Sequence, residues 1–501
     1  MSDLILRGGL ILADAASPAP VAADIAVEGG TIKAISADLP ADILPGAEVL
    51  DVTGRLVVPG LINAHIHSPG NLMRGTLDGL PLEVFMLYEV PQQDDGGEEA
   101  GVLRLRTLLG AAEMLRLGIT TVADDAFFVP LTTTGAIDAI AGAYDESGMR
   151  ATLGLDQPVV VEYEKYPFLA EILSEGQKAR MRALPRETPE GMLAHYDHLI
   201  SRWHGAGGGR IGAALSCSAP QRATPDYLRA LSALARRHDL PFFCHILETR
   251  TQRVLGDMKY GKSLVRHVHD EGVLDAHMQV IHAIWVDDDD IALLAASGAT
   301  VAHNPVCNMR LGSGVMPFRA LARAGVPICL GTDEAISDDS HNLWVAMKTA
   351  ANIHALGDPD PATWPRAEEI LSAVWDGGNR VLRRPAPLGR IAVGAAADFA
   401  VLDLDAPPYR PLHDIRRQLV LCETGASVVH TVVAGEVVMR DGRLTTIDEA
   451  DLVRQLRRIE PGLRDAARAL RDSAAELEGP YREMVRRAFA TDVDMERRLG
   501  R

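Results

Sequence analysis

Cysteine is scarce in this chain and follows no pairing pattern. Five occur among 501 residues (Cys217, Cys244, Cys307, Cys329 and Cys422), an odd number with no Cys-x-x-Cys. That excludes a disulfide scaffold and a thiolate zinc site, and it suits a reducing compartment, so a cytoplasmic protein is expected. Long apolar runs are also missing. No stretch of 18 apolar residues occurs, so no transmembrane helix is expected. The opening Met-Ser-Asp-Leu-Ile-Leu-Arg has neither the basic start nor the apolar core of a signal peptide. Positive charge is outweighed: 50 Lys and Arg face 68 Asp and Glu, a net charge of −18, which argues against nucleic acid or an anionic membrane as partner. Hydrophobic residues, at 47%, are plentiful, and the length suits about three ordinary domains or one large barrel with an appendage.

Residues 1–57 read as short strands, Leu4-Ile5-Leu6, Leu10-Ile11-Leu12, Asp24–Val27 and Thr31–Ile35, separated by glycine- and proline-rich turns. The same texture returns at Asp398–Leu402, Val428–Val433 and Glu436–Met439. One small β-sandwich domain assembled from both ends, 1–57 with 388–446, is expected. Between them, 58–387 alternates apolar strands with amphipathic helical stretches. The strands are Leu61–Ala64, Ile119–Ala123, Ala151–Leu155, Ile211–Leu215, Pro241–Cys244, Met278–Ile281, Thr300–Ala302 and Val326–Leu330. Eight strands alternating with helices are the count of an α/β (β/α)8 barrel of the TIM type, whose active site lies at the C-terminal strand ends. The segment 156–209 is too long for an ordinary connection and is expected to add helices over the mouth. Residues 447–501, rich in Arg and Glu with Leu and Ala at helical spacing, predict a C-terminal extension of one or two solvated helices.

The strand ends carry the chemistry. The first apolar run ends in His65-Ile66-His67, and residues two apart on a strand point to one side, so two imidazoles can grip one ion. His245 closes the fifth strand, with Glu248 three residues on; His282 closes the sixth, His303 the seventh and Asp333 the eighth. Each residue alone is more often a satisfied strand-end side chain than a ligand. Five strands ending in metal-competent or acid–base residues are hard to assign to accident.

In order along the chain, Val58–His67, His245-Ile246-Leu247-Glu248-Thr249, Ile281–Trp285, Val301–Gly314 and Leu330-Gly331-Thr332-Asp333 resemble the amidohydrolase superfamily. They most resemble its branch of cytosine, guanine and S-adenosylhomocysteine deaminases and triazine hydrolases. The resemblance spans about residues 3–445 and includes Gly389–Asp398, which is similar to the branch's segment returning to the sheet domain. It implies His65, His67 and His245 as neutral ligands of one divalent ion, with Asp333 as a carboxylate contact. Zinc suits such ligands, with Fe2+ or Mn2+ as alternatives. It implies Asp333 as acceptor of the proton of an activated water, Glu248 as proton shuttle to ring nitrogen and leaving group, and His282 as the group that orients the water or polarises the reacting centre. Two-metal relatives place a bridging lysine on the fourth strand; here that strand ends Ala214-Leu215-Ser216-Cys217-Ser218, so one metal is expected. Many deaminases of the branch have Ser-Pro-His-Ala there, whereas this chain has Ser218 in the place of the histidine.

Further substrate contacts are expected from Gln157, able to hydrogen-bond an amide-like ring edge, and from Ser218, His303, Asn304 and Arg74. Surface, turn-capping or packing roles are open to Gln157, Asn304, Arg74 and Phe85. His267, His269, His277 and His341 read as surface or near-surface. The run Asp287–Asp290 reads as a helix N-terminus, where negative charge meets the helix dipole. The expected enzyme is a hydrolase of non-peptide C–N bonds, a deaminase of a cyclic amidine (purine, pyrimidine, pterin or triazine-like). The alternatives are another leaving group, such as chloride from a triazine or a cyclic amide, and a non-catalytic scaffold. Its partner is a small heterocycle, and a homodimer or homotetramer is expected.

Overall fold

Residues 3–40, 42–90 and 99–498 are described by a computed structural model. Its β-structure falls into three sheets. The largest has nine strands and is drawn from both ends of the chain: Arg55–Pro59 pairs antiparallel with Phe399–Asp403 and parallel with Leu4–Ile11. Leu4–Ile11 is one strand where two were expected, and its register shifts between Leu6 and Gly9. Leu6, Ile25, Val27, Val57, Phe399 and Val432 form its core.

The other two sheets are parallel and have five strands each. One links Leu61–His67, Ile119–Phe127, Arg150–Asp156 and Ile211–Ala213. The other links Leu215–Ser216, Phe242–Ile246, Met278–His282, Thr300–His303 and Ile328–Leu330. They meet twice. At residue 214 the chain passes from one to the other, Ala214 N–H donating to Leu153 O and Leu215 N–H to Pro241 O, each at 2.8 Å. After Ile328–Leu330 the chain continues into Asp333–Glu334, which pairs with Ile66 and His67 of the first sheet. Ile62, Ala64, Ala123, Ala214, Phe243, Ile281, Ala302 and Cys329 share one buried cluster. Arg150–Asp156 is buried along its whole length, as a strand covered on both faces is.

The helices between them begin where sequence chemistry starts helices. Thr224 caps Pro225–His238, Thr249 caps Arg250–Tyr260, and Asp287 caps Asp288–Ser297 in a capping box with Asp290. Residues 162–209 carry helices, as their length predicted. The C-terminal extension is a single helix of 42 residues, Glu449–Ala490, continuing through Pro461 and Pro480. Its far end is held by packing: Ala474, Tyr481 and Met484 are buried against Val84, Tyr166 and Met181. No helix among the described residues is long and apolar enough to cross a membrane.

Candidate metal and active site

The strand ends deliver their side chains to one place. His65 and His67 stand two apart at the end of Leu61–His67; His245 lies in Phe242–Ile246, and His282 ends Met278–His282. Five non-glycine residues at these ends have positive φ: Ser218 (64°), Leu247 (54°), His282 (75°), Ala283 (47°) and Asp333 (65°). Such conformations cost on the order of 1–3 kcal/mol each and concentrate where function requires them.

Three imidazoles converge. His67 Nε2 and His245 Nε2 face each other at 3.2 Å. His67 Nδ1 lies 2.5 Å from Asp125 O, and His245 Nδ1 lies 2.7 Å from Ser218 O. A carbonyl only accepts, so each Nδ1 carries its proton and each Nε2 presents a lone pair. Two lone pairs at that distance repel unless a cation lies between or beside them. His65 is fully buried and neither of its ring nitrogens makes a well-directed hydrogen bond; Nε2 faces Asp333 Oδ1 at 3.3 Å. Asp333 Oδ1 is also 3.6 Å from His67 Nε2. Unsatisfied buried nitrogens, locked tautomers and an adjoining carboxylate are the donor set of a divalent-metal site.

Charge follows position. Burial pushes His65 down and His245 well down, keeping both neutral. Burial also works against charge on His67, but Glu334, Asp333, Asp156 and Asp125 outweigh it and lift His67 to about 9. Without metal that charge is a proton on His67 Nε2, facing the lone pair of His245 Nε2, and a divalent cation bound there would take the proton's place. Burial opposes ionisation of Asp333, yet the imidazoles of His65, His282 and His67 hold its carboxyl well below the usual range. Glu248 is the opposite case: burial, then Asp333 and Glu83, raise it well above the ordinary value, which favours its carboxylic acid form. His282 is pushed down to about 3, chiefly by burial. Its Nδ1 accepts from Asn308 Nδ2 at 2.9 Å, so Nε2 carries the proton and points at Glu248 Oε2 (3.4 Å) and Asp333 Oδ2 (3.6 Å). Ser313 Oγ donates to Glu248 Oε1 at 3.4 Å.

A cavity opens on this cluster, and His67, Gln157, Ser218, His245, Glu248, His282 and Asp333 line it. Gln157 donates from Nε2 to Phe128 O at 2.5 Å. Three expected substrate contacts, Arg74, His303 and Asn304, lie outside the lining. Arg74 turns away to pair with Glu113, which satisfies its charge elsewhere. His303 faces His354 at 3.3 Å and packs beside Phe318. Asn304 reaches His282 Nδ1 at 3.4 Å, behind the reacting side. Phe85 is packed into an apolar cluster. His267 and His341 are not surface residues. His267 is stacked on Tyr260, and His341 is fully enclosed between Asn71 and Thr332. Sequence reading passed over Asn308, Ser313, Arg222 and the acids Asp125, Asp156 and Glu334. Asp156 ends the third strand and Glu334 adjoins Asp333, so the strand-end rule could have found both.

Comparison with known proteins gives a consistent picture. The model of the amidohydrolase family matches residues 56–438. A 5-methylthioadenosine/S-adenosylhomocysteine deaminase of Desulforudis audaxviator is 32% identical over 461 residues, covering 91% of this chain and 97% of the relative. The zinc-complexed atrazine chlorohydrolase of Arthrobacter aurescens superposes with a TM-score of 0.81 at 26% identity, covering 93% of this chain and 99% of that one. A zinc-bound adenosine deaminase of Xanthomonas campestris gives 0.77 at 26% identity, covering 95% and 99%.

Proposed function

The chain belongs to the amidohydrolase family, and from that premise we propose a metal-dependent hydrolase that removes the amine from a cyclic amidine: a purine, pyrimidine, pterin or triazine-like ring. The observation that carries this reading is the approach of His67 Nε2 and His245 Nε2 to 3.2 Å, each with its Nδ1 on a backbone carbonyl, beside a buried Glu248 whose carboxyl is raised well above the ordinary value. His65, His67, His245 and Asp333 would hold one divalent ion, zinc in this reading. Bound there, it supplies the Lewis acidity that makes water nucleophilic near neutral pH.

The side chains divide the proton work. Asp333, kept ionised, takes a proton from the attacking water as the carbon–oxygen bond forms. Glu248, kept neutral, gives its proton to the adjacent ring nitrogen and relays the next to the departing amine. The carbon–nitrogen bond breaks, ammonia leaves and the ring becomes a lactam. His282, its Nε2–H fixed by Asn308, donates a hydrogen bond to the oxygen that gains charge. Gln157 and Ser218 contact the ring. The atrazine chlorohydrolase neighbour favours a second reading, displacement of chloride, with the same water activation. Chloride needs no proton to leave, so that reading gives Glu248 little to do.

The architecture fits this chemistry as an eight-stranded (β/α)8 barrel of residues 58–387. The two hand-overs between the parallel sheets and the shared inner cluster support closure. Residues 1–57 and 388–446 would form the composite β-sandwich domain and 447–501 the helical extension. The five cysteines are free, with Cys217 and Cys244 sulfurs only 3.4 Å apart, which supports a reducing cytoplasm. Subunits would associate as dimers or tetramers through the extension, read by sedimentation. A screen for ammonia release over aminated purines, pyrimidines, pterins and triazines tests the central reading. Ammonia from at least one class is expected; release of chloride alone from halogenated triazines would replace it with the second.

A further inference from the structure

The segment that follows the C-terminal helix runs back to the active site. Beyond Glu449–Ala490, residues 491–498 have no regular structure, and they lie outside residues 56–438 matched by the family model. They are nonetheless fixed to the segments that follow three strands. Arg250, two residues after Glu248 and beyond the fifth strand, donates from Nη2 to Thr491 O at 2.6 Å. Val493 is buried in the main core. Arg497 then joins two more segments. Its Nη2 donates to Val286 O, beyond the sixth strand, at 2.6 Å. Its carbonyl accepts from Val315 N–H, beyond the seventh, at 2.7 Å.

The bond to Val315 bears on the general acid. Residues 313–317 form neither helix nor strand, so bonds from other segments fix their course. Ser313 opens this stretch, and its hydroxyl donates to Glu248 Oε1 at 3.4 Å. Glu248 Oε2 then faces His282 Nε2, also at 3.4 Å. The backbone of Ser313 is held on its near side: its carbonyl accepts from Trp285 Nε1 at 2.8 Å, and its N–H donates to Asn308 O at 2.9 Å. Arg497 holds the far side. Gly314 lies between, with φ 128°, and a Cβ there would come within 2.9 Å of Arg497 O and 3.0 Å of Ile284 Cγ2. Glycine permits both the backbone angle and the approach. A general acid must keep its carboxyl within hydrogen-bond reach of the atom it protonates, so the orientation of Glu248 is part of its function.

Resting on the deaminase reading, we propose that Arg497 is a positioning residue for proton transfer. Its bonds to Val286 and Val315 hold the segment that carries Ser313, and Ser313 orients the carboxyl of Glu248.

The test reads local order and turnover separately, on the zinc-loaded full chain. Arg497→Met keeps the stem of the side chain and removes the donor to Val286. Hydrogen exchange read by mass spectrometry should quicken over residues 312–317 by about threefold to tenfold, the range of one lost hydrogen bond, and stay unchanged in Leu61–His67 and Phe242–Ile246. The kcat for ammonia release from the ring that reacts fastest should fall by about the same factor, with KM and zinc content unchanged. Arg497→Lys, which keeps one donor, should recover part of both effects; if the Met variant does not fold, the Lys variant is read the same way. Ser313→Ala should lose as much kcat, and adding Arg497→Met to it should cost nothing further, because both act through one hydroxyl. Unchanged exchange over 312–317, quicker exchange with unchanged kcat, a change in KM alone, or losses that multiply in the double variant overturns the proposal. Quicker exchange that Arg497→Lys partly restores, with no ammonia from any aminated ring, would uphold the hold of Arg497 on the Ser313 segment while refuting the deaminase reading.

Discussion

At the scale of single residues the account rests on two carboxyl groups pushed in opposite directions on either side of His282 Nε2. The imidazoles facing Asp333 hold its carboxyl well below the usual range, whereas burial beside other carboxylates raises Glu248 well above it. Replacing Glu248 by Gln keeps volume and hydrogen bonding and removes only the proton. Glu248→Gln should therefore retain zinc and fold and lose at least about 10²-fold in kcat, within the range of general acid–base catalysis. Steady-state ammonia release with metal analysis checks this, and near-normal turnover would reduce Glu248 to a structural acid. Asp333→Asn should lose as much and bind zinc more weakly, because its carboxylate faces His65 and His67. These residues are legible in the sequence because each follows an apolar run whose end can be read. Asn308, which fixes the tautomer of His282, and Ser313, which touches Glu248, are not. They lie beyond the seventh strand, and their aim depends on how distant segments pack.

At the scale of elements, the hand-over after the eighth strand is a close fit. A Cβ at Gly331 would lie 2.5 Å from Asn304 Oδ1 and 2.9 Å from the carbonyl oxygen of His65. Gly331→Ala must therefore shift the strand that carries His65. A loss of about tenfold or more in zinc affinity is expected, as for damage to the support of a metal ligand, read by competition with a chromophoric chelator. Unchanged affinity would mean that the strand end yields without moving the ligand. The C-terminal helix acts on the mouth. Tyr481 is fully buried, stacks edge-on against Tyr166 at 5.5 Å and donates to Glu162 at 3.3 Å. Tyr481→Ala should destabilise by roughly 3–5 kcal/mol, seen as a lower melting temperature, and should raise KM because Tyr166 and Glu162 line the cavity. An unchanged melting temperature and KM would make the helix an independent appendage. The helical spacing of the extension is plain in the sequence. Its unbroken 42 residues are not, because two internal prolines argue locally for breaks that packing overrides.

At the scale of the whole molecule, both ends of the chain meet in one nine-stranded sheet, and the parallel strands between them bring their ends to a single metal-competent cluster. The alternation of strands and helices made that order readable in advance. Ring specificity was not readable, because the cavity is lined by loops that only the folded molecule brings together. A metal bound by the native state alone also stabilises it by mass action, so chelation should lower the melting temperature and zinc should restore it. The most direct test of the central claim is a zinc titration into metal-depleted protein, followed by ammonia release from the cyclic amidine that reacts fastest in the screen. The account predicts no activity without metal and a rise that breaks at one zinc per chain. Activity that is indifferent to zinc, or a break at two, would contradict it.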